Sequence, residues 1–268
     1  MPLSTFNKLG SALLVLAATA VPVHAQDLAA HHATYILSLS QDSQNSGVAG
    51  GEGLMVYDLK DTCDGWAVDL KLRFDFSADS GDAHSFQASQ VTWEAKDASS
   101  YRYLIKNGIG DQTQQLRGEA RMDAASGKGQ VTADQPSQAE ADLPQGTLFP
   151  LQHTRLLLEK AAAGETAVSA EYFDGTASTQ AMQASAVIGG GQKDWSGLPQ
   201  KISGLSGVTS YPIDLAFFLG NSPDATPDNE QFMRLYDNGV VGEFSFTIGN
   251  IKIHALLDQL KLQPKPAC

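Results

Sequence analysis

Trp66-Ala67-Val68-Asp69-Leu70-Lys71-Leu72-Arg73-Phe74-Asp75-Phe76 is the stretch that decides the fold. Trp66, Val68, Leu70, Leu72, Phe74 and Phe76 fall on one face, and Asp69, Lys71, Arg73 and Asp75 on the other. This is the period-two pattern of a half-buried β-strand. Its register is firmly set, because a one-residue slip would turn the whole apolar set towards water. Upstream, 34–40 and 53–59 read as strands, with the glycine-rich 47–51 as a turn region between them. Downstream, 86–95, 101–106 and 114–123 are short stretches of mixed polarity separated by Gly, Asp or Ser. Short strands at such spacing, with no helices between them, predict an antiparallel meander.

Further on, 126–144 is poor in large apolar residues and carries Pro136 and Pro144, so it reads as weak strand and loop. The pattern then changes. Leu148, Leu151, Arg155 and Leu158 stand near helical spacing, with Pro150 in the first turn and Gly164 at the end, which predicts one central helix. Beyond it, 167–173 and 177–187 read as a hairpin around Asp174-Gly175, and 207–219, 232–236, 241–248 and 252–257 as further strands. Asp237-Asn238-Gly239 signals a tight turn, and the acidic, proline-containing 221–231 an exposed loop. The expectation is an all-β, mainly antiparallel chain with one central helix, built as two β-rich halves within a single domain.

Residues 1–25 read as an export signal. Lys8 is a short basic start, 9–20 is an apolar run, and Val23-His24-Ala25 is a small-residue cleavage site, so the mature domain is expected to cover 26–268. The run is short for a membrane span, and no cysteine stands at the cleavage site to carry a lipid. A soluble exported protein is therefore expected. The only cysteines are Cys63 and Cys268, and in an oxidising compartment an even pair is expected to bond. Loss of Lys8 takes the net charge from −12 to −13. So acidic a chain, with no basic stripe interleaved with aromatics, argues against nucleic acid and against anionic membrane surfaces.

Catalytic signatures are scarce: there is no Gly-x-Ser-x-Gly elbow, His-Glu-x-x-His pair or P-loop. No catalytic residue, metal ligand or cofactor is assigned, and the chain is not read as an enzyme. His31 and His32 are neighbours on a strand and point to opposite faces, so they do not make a metal site together. His153 reads as a packed helix residue, and His84 and His254 have no visible partner constellation. Asp58, Asp61 and Asp64, like Asp224, Asp228 and Glu230, read as solvated turns that match no EF-hand loop. Trp66, Trp93, Tyr101, Tyr103, Phe217 and Phe218 read mostly as core, although a curved sheet under a helix leaves room for an apolar or extended ligand.

The Cys63-Asp64-Gly65-Trp66 segment, the central Gly146-Thr147-Leu148-Phe149-Pro150-Leu151-Gln152-His153-Thr154 segment and the C-terminal cysteine resemble the EipB family of periplasmic cell-envelope integrity proteins of Gram-negative bacteria. The resemblance implies a monomeric, spiral-like sheet of two half-barrel-like parts and a disulfide matching Cys63 to Cys268. It also implies a non-enzymatic role in the periplasm under envelope stress. A peptide, lipoprotein or protein chain held in a β-lined groove, or a periplasmic helical-repeat protein engaged through a surface patch, is the expected partner. The half-barrels bring to mind periplasmic lipoprotein carriers. The alternative is a hydrolase, or a lipid or lipoprotein carrier, acting on an envelope component.

Overall fold

The computed structural model describes residues 27–40, 47–220 and 226–268, so the expected signal peptide and part of the 221–231 loop lie outside the described residues. Eight strands come first: β1 (His31–Leu39), β2 (Val48–Asp61), β3 (Gly65–Ala78), β4 (Ala83–Ala95), β5 (Ser100–Ile109), β6 (Gln112–Met122), β7 (Gly129–Gln135) and β8 (Ala139–Leu143). Helix α1 (Pro150–Ala162) follows. Then come β9 (Ala167–Tyr172), β10 (Met182–Ile188), the short β11 (Gln192–Lys193), β12 (Thr209–Phe218), β13 (Asn229–Tyr236), β14 (Val241–Ile248) and β15 (Ile251–Leu262).

The strands form one unclosed sheet ordered β8-β7-β6-β5-β4-β3-β2-β1-β15-β14-β13-β12-β10-β9, with β11 on β12. Each half is a meander of sequence neighbours. The halves join where the first strand meets the last: β1 pairs β15 antiparallel, with Leu37 opposite Ala255 and a register shift between Thr34 and Tyr35.

Inward side chains collect in three clusters. Tyr101, Tyr103, Ile105, Leu116, Phe149 and Phe173 fill the first half. Leu151, Leu157 and Leu158 of α1 pack with Ile213, Leu215 and Leu235 in the second. A third cluster, with Tyr35, Leu37, Phe74 and Ile253, lies along the central strands and is packed over by Trp195, Leu198 and Ile202 from the segment after β11. The inward set of β3 serves two of them, Trp66 and Val68 one and Leu72 and Phe74 another.

The structure corrects several boundaries. The 126–144 region, expected as weak strand and loop, holds two paired strands, β7 and β8. β13 begins at Asn229, inside the expected 221–231 loop, and β15 runs on to Leu262. β2 starts at Val48, within the glycine-rich segment read as a turn. Gly51 in that segment, and Gly53 just beyond it, make room for packing: a Cβ on Gly51 would lie 2.5 Å from the Phe74 ring, and one on Gly53 2.2 Å from the Arg73 carbonyl oxygen. Because the obstacle at Gly53 is backbone of the neighbouring strand, Gly53→Ala is expected to cost roughly 3 kcal/mol. Thermal unfolding would register this as a Tm lower by about 6–12 °C.

Candidate functional site

Strand register builds an open site on the face opposite the aromatic core. Because Trp66 points inward, Ala67 points out, and the rungs of the sheet carry that face across β3 to β7: Ala67 to Trp93, Trp93 to Arg102, Arg102 to Glu119 and Glu119 to Thr132. The adjacent row runs from Val91 through Leu104 to Arg117. Together they line a depression of about 850 Å³.

Its floor is anchored by Trp93. The ring lies over Gly65, where a Cβ would come within 2.4 Å of it, and its Nε1–H donates to Thr62 Oγ1 at 3.1 Å. The Arg102 guanidinium sits 4.5 Å from the indole centroid, a cation–π geometry. Arg117 meets Asp134 at 3.5 Å and Arg121 meets Glu119 at 3.1 Å. Three of the six arginines of this acidic chain thus share one depression. A fixed aromatic plate beside exposed guanidinium forks suits a ligand that has flat or apolar faces and carboxylate or other acceptor oxygens.

The space expected between the concave face and the helix is present in reduced form. Leu151, Leu157 and Leu158 of α1 fill that space, and what remains there is a cavity of about 210 Å³ lined by Leu28, Met55, Leu70 and Leu151 among others. Of the aromatics, Trp66, Tyr101, Tyr103 and Phe217 are core, whereas Trp93 is half-buried and lines the outer depression.

The interior holds a second set of titratable groups. Phe149 occupies the N-cap of α1 and offers no side-chain cap. Glu94 takes over that task from β4: its two carboxyl oxygens accept the Leu151 and Gln152 backbone N–H groups, each at 2.8 Å. Burial pushes this carboxyl up to about 7, against the pull of those two hydrogen bonds. His153 is buried against Tyr172, with ring centroids 5.1 Å apart, and burial pushes its imidazole down to about 4. Burial also raises the Asp174 carboxyl, which accepts from Thr176 Oγ1 at 2.6 Å. Glu94, His153 and Asp174 line neither the outer depression nor the inner cavity.

The other polar residues singled out in the sequence are engaged locally. His31 Nδ1 meets the Ala29 carbonyl at 2.7 Å, and His32 Nδ1 meets Asp58 at 2.9 Å. His254 pairs with Glu243 at 2.8 Å, and His84 packs on Phe76. Asp61 accepts from Lys96 Nζ and from the Cys63 N–H, Asp64 from the Thr62 hydroxyl, and Asp228 from the Leu219 N–H. Glu230 belongs to β13, and Asp224 lies outside the described residues. Among the described residues no three His, Cys, Asp or Glu side chains gather to hold a metal ion. No helix among them is long and apolar enough to cross a membrane. Cys63, in a tight turn at φ +71°, is disulfide-bonded to Cys268 across 205 positions of sequence.

Comparison with known proteins matches residues 22–264 to the EipB-like family model. A cell envelope integrity protein EipB of Brucella abortus (strain 2308) is 26% identical over 239 residues, spanning 88% of this chain and 84% of that protein. The crystal structure of a beta-barrel-like protein of a domain of unknown function from Brucella abortus is similar at a TM-score of 0.80 and 24% identity, over 90% of this chain and 100% of that one. That likeness speaks to the fold.

Proposed function

The chain belongs to the EipB-like family, and from that premise we propose that it works in the periplasm to keep the cell envelope intact. It does so without catalysis, by holding an extended peptide, or the exposed chain of a lipoprotein or protein partner, in the β-lined depression on its outer face. The export signal expected at 1–25 and the name of the Brucella abortus relative support the compartment and the role. The observation that carries the binding reading is the Trp93–Arg102 plate set among Arg117 and Arg121 on a sheet face that is otherwise solvent-exposed. An extended ligand laid across five strands would pack against the Trp93–Arg102 plate and give its acceptor oxygens to the guanidinium groups.

Deleting the gene is expected to sensitise cells to detergents and cell-wall antibiotics, and the wild-type chain to restore resistance. A Trp93→Ala/Arg102→Ala chain, exported and folded at wild-type level, is expected not to restore it, since each anchor of this kind is worth roughly 2 kcal/mol of binding. Unchanged sensitivity after deletion would sink the envelope role. Full rescue by the double variant would sink the groove.

A further inference from the structure

Two of the core clusters meet without filling the seam between them. Leu59, Leu151 and Leu235 belong to one and Tyr35 and Met55 to the other, while Tyr57 and Leu70 pack against both. The cavity of about 210 Å³ lies at this seam, between α1, β1 to β3 and the β13–β14 pair. Protein interiors are close-packed, and an unfilled space of this size forfeits contacts that a folded core normally makes. For scale, an apolar cavity of about 150 Å³ stays dry and takes up benzene.

The lining fixes the chemistry of an occupant. It includes no Asp, Glu, Lys or Arg. The Tyr35 hydroxyl is already spent on the Val241 carbonyl at 2.9 Å, and His31 Nδ1 on Ala29. Met55 and Met233 give walls that adapt to an irregular apolar shape. Further polar atoms come from half-buried Tyr57 on β2, from Thr154 on α1, whose hydroxyl donates to the Pro150 carbonyl, and from Gln231 on β13. Such a site takes apolar matter inside and leaves anything polar at its border, and it is too small to swallow a whole amphiphile.

We propose that this cavity binds the end of one aliphatic chain of an amphiphile whose head group stays beside Thr154 and Gln231. The proposal stands on the cavity alone and does not depend on the outer depression.

The probe is a series of straight-chain fatty acids from hexanoate to hexadecanoate, each titrated below its micelle concentration into the purified chain by calorimetry. Saturable binding at one site per chain is expected. Affinity should rise about fourfold per added methylene while the cavity fills, and then level off as further carbons remain outside. Leu70→Trp, which fills the seam from β3, is expected to weaken decanoate at least about tenfold, a modest share of the apolar contact that it blocks. Met233→Phe does the same from β13 and serves if the first variant fails to fold. Absence of saturation, affinity that climbs with chain length without levelling, or equal affinity in both folded variants would overturn the proposal.

Discussion

Cys63→Ser is expected to lower the unfolding free energy of the oxidised chain by about 3 kcal/mol, short of the roughly 5 kcal/mol that loop closure alone would give. The larger figure follows from closing a loop across 205 positions in the unfolded chain. It assumes that the native state gains nothing when the bond goes. Here it does gain. Cys268 ends a tail beyond Leu262, held by the Gln263 N–H donating to the Ala30 carbonyl and by an ion pair of Lys265 with Asp27. That pair is exposed on both sides, and exposed pairs contribute little. Without the disulfide the tail comes loose, and its recovered freedom offsets part of the loss. Taking the ratio of the long loop to a tail of about six residues, the logarithmic loop term leaves about 3 kcal/mol. Urea unfolding of Cys63→Ser, Cys268→Ser and the reduced wild type should give one common stability. A loss near 5 kcal/mol would mean that the tail stays docked, and no loss would remove the bond from the stability of the fold.

The bond spans the seam that sequence could not show. Strand β3 was legible because apolar and charged residues alternate without a break from Val68 to Phe76. The central helix was legible because Pro150 and Gly164 bracket a leucine repeat, and the structure starts α1 at Pro150 and turns the chain at Gly164 with φ +75°. Gly51 was misread because glycine signals a turn and a close approach in the same letter; only the Phe74 ring distinguishes them. The pairing of β1 with β15 leaves no local trace, since each strand carries its own alternation and nothing names its neighbour. The outer depression has the same difficulty. Trp93, Arg102 and Glu119 are separate residues until the rungs of β3 to β7 set them in one row. Family resemblance supplied what local pattern lacked, namely that the two meanders form one open sheet.

Glu94 illustrates the limit most sharply, and it yields the second large effect. In the sequence it is one more polar residue on β4; in the structure it is the N-terminal cap of α1, borrowed from a strand 57 positions away. Glu94→Gln is expected to cost about 1–3 kcal/mol at pH 5, because an amide nitrogen must face one of the two helix N–H groups. The stronger signature is in pH. Between 4.5 and about 7 the native carboxyl keeps a proton that the unfolded chain releases, so Glu94 alone makes stability fall as pH rises, by about 3 kcal/mol across that window.

His153 acts in the opposite sense. Between 6.5 and about 4 the unfolded imidazole takes up a proton that the buried one refuses, so stability falls as pH drops, again by about 3 kcal/mol. Asp174, raised by burial, adds to the first slope, and His31, lowered by burial, to the second. The opposing slopes overlap between 4.5 and 6.5, where the wild-type stability should be nearly flat. Each single variant unmasks the other group. Glu94→Gln should become more stable as pH rises through that interval, and His153→Gln less stable. Denaturant midpoints at three pH values decide the matter, and parallel profiles for wild type and both variants would show that neither group changes its proton affinity on folding.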